Sequence, residues 1–310
     1  MTENSYDVLV VGGGAAGLSA ALMLGRARRR VAVVDGGSPR NAPARHMHGF
    51  LSRDGLPPSE LLKIGREELA GYGVEVLDDQ VTRLEAGFTA ELASGRELTA
   101  RRVLVATGVH DDLPDLPGLR ESWGTDAVTC PYCHGYEVRD QPLGVLGTEP
   151  LSVEHALLVR QWSPDVVYFA HTAPLSEEDR TRLDARGIRV VEGTVTAVRR
   201  EDGRLTGIEL GTRFVPRVAL FVRTRTVPHA DLLRRLGYEE TDAMGQTNVP
   251  GVWAAGNVVD ARATVIIAAA QGAAAAGALN HDLVAEDVER AVAKFGGFTP
   301  AAERAAAAAR

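Results

Sequence analysis

Tyr6-Asp7-Val8-Leu9-Val10-Val11 runs straight into Gly12-Gly13-Gly14-Ala15-Ala16-Gly17. An alanine- and leucine-rich segment, Leu18 to Arg26, comes next, and then Val31-Ala32-Val33-Val34-Asp35. An apolar run, a glycine turn, a helical stretch and a second apolar run closed by an acid predict one βαβ unit. Gly12 permits the tight turn, Gly14 lets the backbone approach a pyrophosphate, and Gly17 lets helix and strand pack closely. The helix N-terminus favours the phosphate charge, and Asp35 can accept hydrogen bonds from a ribose diol. A glycine turn without a ligand is the competing reading; strand, helix and acid in this order count against it. The cations from Arg26 to Arg30 suit the negative end of the helix dipole and read as structural.

Outward from this unit, Leu61 to Tyr72 reads as a helix, and Val74–Leu77, Val81–Glu85 and Phe88–Leu92 as strands. Arg102 to Val105 is a buried strand entering the turn Ala106-Thr107-Gly108. Pro114, Pro117 and Gly118 mark a linker and a first domain boundary. A second βαβ series follows: strands at Leu143–Leu146, Val166–Phe169 and Ile188–Val191, helices at Ser152–Gln161 and Ser176–Arg186. Val195–Arg199, Leu205–Leu210 and Val218–Val222 add strands. Val252-Trp253-Ala254-Ala255-Gly256-Asn257 is a strand and turn before a last helix, Thr264 to about Leu283; the Ala301–Arg310 tail is low-complexity and expected to fray. The expected fold class is α/β, with two related nucleotide-type domains.

The second glycine turn is degenerate. It reads Gly147-Thr148-Glu149-Pro150-Leu151-Ser152, with a carboxylate where a pyrophosphate needs a glycine and a proline that removes an amide donor. Ala170-His171-Thr172-Ala173, after the next strand, holds no arginine pair for a 2′-phosphate. This domain reads as a nucleotide fold that has lost its nucleotide.

Cys130-Pro131-Tyr132-Cys133 contains the only two cysteines of the chain. A C-x-x-C closes and opens a disulfide with little backbone movement, and the motif lowers the pKa of one thiol. The alternatives are half a zinc site or two incidental thiols. A structural zinc needs four ligands, and no second C-x-x-C or His-x-x-x-His supplies them, so no metal is expected.

With 310 residues, 45% hydrophobic and 24% charged, the chain can bury a core without staples and has room for about two domains. A net charge of -7 argues against nucleic-acid binding. No signal peptide precedes the first strand, and the Ala/Gly-rich run Val265 to Leu279 is too short to span a bilayer. The expectation is a cytoplasmic protein with no membrane partner, where an isolated C-x-x-C is catalytic more often than structural.

Taken together, the Gly12–Gly17 turn, the Ala106-Thr107-Gly108 turn, Cys130-x-x-Cys133 and Gly251-Val252-Trp253-Ala254-Ala255-Gly256-Asn257 resemble the low-molecular-weight thioredoxin reductases over nearly the whole chain. The resemblance implies two Rossmann-like, three-layer domains and a homodimer. The FAD domain would be discontinuous, residues 1–115 and 247–310, with residues 116–246 inserted as a central NADPH-domain-like unit carrying the disulfide. Thioredoxin reductases usually have Asp after the second cysteine. His134-Gly135 here looks closer to the gliotoxin- and holomycin-type dithiol oxidases, which lack a working NADPH site and use oxygen. The resemblance implies FAD contacts from Gly12, Gly13, Gly14, Ala15, Ala16, Gly17, Asp35 and Gly36, and from Ala106, Thr107 and Gly108. It further implies contacts from Arg40, Asn41 and His48 to the flavin, from the Val81 backbone to the adenine, and from Gly256 and Asn257. Thr264 and Val265 would open the final helix beneath the flavin pyrimidine edge. Asn257 departs from the usual Asp; it keeps an acceptor, adds a donor and loses a charge. For His46 and His48, plain polar loop positions are an equal alternative.

The implied activity is FAD-dependent oxidation of a small-molecule dithiol to an intramolecular disulfide, with O2 reduced to hydrogen peroxide. Cys130 is the sulfur the substrate attacks, Cys133 passes electrons to the flavin, and His134 moves protons; a purely structural His134, bonded to its loop, is the alternative. Rival readings are an NAD(P)H- or ferredoxin-dependent thioredoxin/disulfide reductase and a non-enzymatic flavin-bearing redox sensor.

Overall fold

The computed structural model describes residues 4–295 and, beyond them, 304 and 308; most of the Ala301–Arg310 tail lies outside the described residues. Among the described residues, a seven-stranded sheet forms the first lobe. Glu75–Asp78, Val31–Asp35, Ser5–Val11 and Glu97–Val105 lie side by side in parallel. Val31 to Val34 are all buried, which is why this strand reads as an unbroken aliphatic run. Glu97–Val105 begins five residues before the expected Arg102 because its two halves have different partners. Its first half pairs antiparallel with Thr89–Leu92, and its last three residues pair parallel with Val252–Ala254. Only its last three residues, Val103 to Val105, are buried in succession, so only they carry the hydrophobic signature.

The Ala15–Arg26 helix packs on the Val265–Lys294 helix through small residues. Ala16, Ala20 and Ala21 meet Ala268, Ala275 and Ala276 in one core with Leu24, Leu279 and Leu283. Gly272 lies so close to the Ala16 backbone that a methyl there would press into its carbonyl oxygen. On the other sheet face, Leu9, Val11, Val103 and Val105 pack with Ala230 and Leu233. Gly12 carries φ +106° at the strand–helix junction, and a side chain there would collide with the Ala106 carbonyl.

The second lobe holds a five-stranded parallel sheet: Arg189–Val191, Val166–Phe169, Leu143–Leu146, Ala219–Val222 and Ala127–Val128. A three-stranded antiparallel sheet, Ala197–Glu201, Arg204–Leu210 and Arg213–Pro216, covers it through a shared apolar core. The α/β expectation with parallel sheets holds. The segment read as a linker is partly ordered: Val109–Asp112 pairs antiparallel with Arg225–Pro228, so two strands cross together between the lobes. No described helix is long and apolar enough to cross a membrane.

Candidate active site

A cavity of about 970 Å3 runs between the lobes. At one end lies the glycine turn. Gly12, Gly13, Gly14, Ala15 and Ala16 line it, whereas Gly17 sits behind the turn, where a side chain would press on the Gly12 carbonyl. A methyl built on Gly14 would meet nothing, so open space lies outside the turn. The Ala15–Arg26 helix has no side-chain cap, which leaves its first amides available to an anion. Asp35 and Gly36 close this end. Arg66, from the Pro58–Ala70 helix, holds the Asp35 carboxylate and reaches Asp78 Oδ1 at 2.6 Å. The Arg66 clamp escapes sequence reading because the three residues lie on separate elements. Val81 also lines the cavity.

Ala106, Thr107 and Gly108 line the cavity, as do Arg40, Asn41 and His48. Arg40 donates from Nε and Nη2 to the two carboxylate oxygens of Asp111 at 2.8 and 2.7 Å, and from Nη1 to the Ala261 carbonyl at 2.9 Å. Burial alone would raise the Asp111 carboxyl, but hydrogen bonds from Arg40 and Thr224 and the Arg40 charge hold it below the usual carboxylate range. Asp111 and Thr224 were not singled out in the sequence, because each lies just past a buried strand, in a stretch with no periodic pattern of its own. Asn257 Nδ2 donates to the Asp260 and Ala263 carbonyls at 3.0 and 2.9 Å. An aspartate could not make either bond. The substitution therefore tightens this loop and leaves Oδ1 as an acceptor at the cavity wall. Thr264 and Val265 line the cavity where the 30-residue Val265–Lys294 helix begins, again without a side-chain cap. Gly256, at φ +77°, lies behind the wall; its N–H donates to Gln271 Oε1 at 3.1 Å. Two uncapped helix N-termini, a ribose-competent carboxylate and open space beside Gly14 suit a long dianionic dinucleotide such as FAD.

At the far end are the cysteines. Cys130 and Cys133 form a disulfide, Cα–Cα 5.3 Å, and both line the cavity. Cys130 caps the single turn Pro131–His134, and the Cys133 N–H returns to the Cys130 carbonyl at 3.2 Å. His134 lines the cavity too. Burial lowers its pKa below 6.5; the Cys130 backbone and Glu137 oppose the shift and His48 adds to it. Neither ring nitrogen makes a well-formed hydrogen bond among the described residues, and both are shielded from solvent. The ring is therefore neutral at pH 7 and ready to accept a proton. His48 Nδ1 lies 3.3 Å from Asp54 Oδ2, and His46 Nδ1 lies 3.0 Å from the Gly55 carbonyl.

The second glycine turn is closed by its own residues. Ser152, fully buried, accepts at Oγ from the Thr148 and Glu149 N–H groups at 3.2 and 3.3 Å. Glu149 pairs with Arg223, which follows the Ala219–Val222 strand and also lines the cavity. Amides that would hold a pyrophosphate are bonded inside the protein. Sequence reading finds the Glu149 obstruction but not Arg223, which arrives from more than seventy residues away.

The family model for pyridine nucleotide-disulphide oxidoreductases matches residues 6–277. A probable thioredoxin reductase of Arthroderma benhamiae is 36% identical over 194 residues, 59% of this chain and 48% of that protein, so that match spans about half its length. Thioredoxin reductase sirT of Leptosphaeria maculans is 30% identical over 91% of this chain and 96% of its own. The crystal structure of HlmI is similar with a TM-score of 0.92 and 55% identity, over 95% of this chain and 97% of that one. The chain belongs to the pyridine nucleotide-disulphide oxidoreductase family and is an FAD-dependent thiol/disulfide oxidoreductase of the thioredoxin reductase-like kind.

Proposed function

We propose that this enzyme oxidises a small-molecule dithiol to an intramolecular disulfide, with O2 as terminal acceptor and hydrogen peroxide as by-product. The observation that carries the reading is the self-closed second turn: Ser152 and Arg223 occupy the groups a nicotinamide dinucleotide would need, so electrons enter from the substrate thiols.

A substrate thiolate attacks Cys130 Sγ, a mixed disulfide forms and Cys133 leaves as thiolate. The second substrate thiol attacks the substrate sulfur of that mixed disulfide, closes the product and frees Cys130. His134, neutral at rest, takes the proton of the attacking thiol. Gly12–Ala16, Asp35, Arg40, Asn257 and Val265 would hold FAD, which would supply the two-electron acceptor for the cysteine pair and the route to oxygen. Cys133 is assigned to the flavin and Cys130 to the substrate. In this reading residues 1–115 and 247–310 serve the flavin and 116–246 the dithiol chemistry, with Ala230 and Leu233 seated on the flavin side. The working form is a cytoplasmic homodimer without nucleic-acid or membrane partners.

Anaerobic flavin absorbance tests this directly. A dithiol such as dithiothreitol bleaches the flavin, NADPH does not, and aerobic turnover consumes oxygen. Cys133→Ser abolishes turnover. Rapid bleaching by NADPH, or oxidase activity surviving in Cys133→Ser, overturns the proposal. The names of the relatives favour a second reading, an NAD(P)H- or ferredoxin-dependent thioredoxin/disulfide reductase, and flavin reduction by either donor would establish it.

A further inference from the structure

We propose that Trp123 is a specificity-determining residue: its indole walls the disulfide end of the cavity and selects a dithiol carried on a flat, apolar, unsaturated ring. This rests on the dithiol-oxidising reading above and names the class of substrate for it.

Trp123 lines the same cavity as Cys130, Cys133 and His134. Chain geometry puts it at their end. Trp123 forms a parallel bridge with Ala127, which brings the two Cα atoms to about 5 Å. The Gly124 N–H closes the turn on the Ala127 carbonyl at 2.8 Å. Cys130 is three residues beyond Ala127, so their Cα atoms lie within about 11 Å. Trp123 and Cys130 thus belong to one hydrogen-bonded segment of the second lobe. A scaffold held by the indole is held relative to the sulfur that its thiolate attacks. The residues assigned to the flavin here, Arg40, Asn41 and Val265, come from the other lobe. The indole is half-buried: part of it packs on the core that holds Leu119, Ala127 and Leu220, and the rest is left to the cavity. An aromatic ring fixed in this way offers a large flat area and prefers a second ring stacked offset or edge-on. Its neighbours in the lining include Pro43, Met47 and Val128, all apolar. Gly124, at φ +78°, abuts the first lobe; a Cβ there would stand 2.5 Å from Pro43 Cβ. The lobes therefore touch beside the indole, and apolar walls from two touching lobes suit a flat ring. Tyr132, between the cysteines, is 69% exposed and pairs edge-on with Trp162, and neither lines the cavity.

The test is anaerobic stopped-flow bleaching of the FAD-loaded protein by two dithiols that both close six-membered cyclic disulfides: dithiothreitol, which has no ring, and ortho-xylylene dithiol, which is built on a benzene ring. The concentration dependence gives an apparent Kd and a limiting rate for each. Wild type binds ortho-xylylene dithiol roughly tenfold more tightly than dithiothreitol, the size of a stacking contact, and Trp123→Leu erases that difference. Trp123→Phe, which keeps a flat ring, keeps most of it. The dithiothreitol Kd and both limiting rates stay at wild-type values in Trp123→Leu, because the indole holds the scaffold and not the sulfurs. If Trp123→Leu loses FAD, wild type decides: phthalide, a flat bicycle without thiols, competes with the dithiols, and its puckered hexahydro counterpart does not. No preference in wild type, a preference that survives Trp123→Leu, equal weakening of both dithiols, slower limiting rates with both, or equal competition by the two bicycles overturns the proposal. A wild-type flavin that neither dithiol bleaches fails the dithiol-oxidising reading itself, and the role of Trp123 falls with it.

Discussion

His155 sits on the Ser152–Val159 helix, only 6% exposed, with its ring edge-on to Phe221. Burial, and then the Arg223 charge, push its pKa down to about 4, against weaker opposing effects of the Thr129 backbone and Glu149. The folded protein therefore holds it neutral, whereas the unfolded chain protonates it near pH 6.5. The stability this contributes is complete above about pH 6.5 and is lost as the pH falls towards about 4. At about 1.4 kcal/mol per pH unit the loss approaches about 3 kcal/mol. Thermal unfolding from pH 7.5 to 4 should show wild type losing stability more steeply than His155→Gln; parallel curves would contradict the assignment. In the sequence this residue is one polar position in a helical stretch, and nothing marks it as buried. Cys130, Cys133 and His134 differ in this respect. Their chemistry is legible from residue type and spacing, while the lowered pKa of His134 depends on what covers the ring.

At the scale of elements, the two glycine turns show what local sequence decides. Gly12 to Gly17 is readable because each glycine answers a local backbone demand, and the structure meets it with open space beside Gly14. The second turn is readable as damaged at Glu149, but its closure depends on Ser152 and on Arg223 from a distant strand. Glu149→Gly alone should thus leave the flavin unreactive to NADPH, because Ser152 Oγ still accepts the amides of residues 148 and 149. NADPH-dependent bleaching in that variant would show that the carboxylate was the sole barrier. Elements with half-exposed faces were the ones misjudged in extent. Val265–Lys294 runs eleven residues past the expected Leu283, through Val284, Val288 and Val292, which are exposed and so lack a buried periodic face. Arg213–Pro216 and Arg225–Pro228 escape for the same reason: each has a single strand partner and mostly exposed or half-buried side chains.

At the scale of the molecule, Arg40, Asp111 and Thr224 tie together the loop that carries Arg40, the crossing strand Val109–Asp112 and the end of the second lobe's sheet. The Asp111 and Arg40 side chains are 6% and 25% exposed, so removing one partner leaves a largely buried charge alone. Asp111→Ala should cost about 3 kcal/mol, lower the unfolding temperature and speed FAD release on dilution, read by flavin fluorescence. Thr224→Ala, which removes one neutral donor, should cost about 1 kcal/mol. Equal, negligible effects would mean the cluster does not couple the lobes. The sequence by itself determined the fold class, the dinucleotide turn, the cysteine pair and the departure of the second glycine turn from the dinucleotide pattern. Each of these is written in contiguous residues whose local geometry and chemistry leave few alternatives. Only the tertiary structure decided the rest: the two-stranded crossing, the Arg66 clamp on Asp35, the Arg40–Asp111–Thr224 tie, and His48 set between Asp54 and Glu137. Those depend on side chains far apart in the chain, brought within hydrogen-bond reach by sheet register and helix packing, which no local pattern encodes.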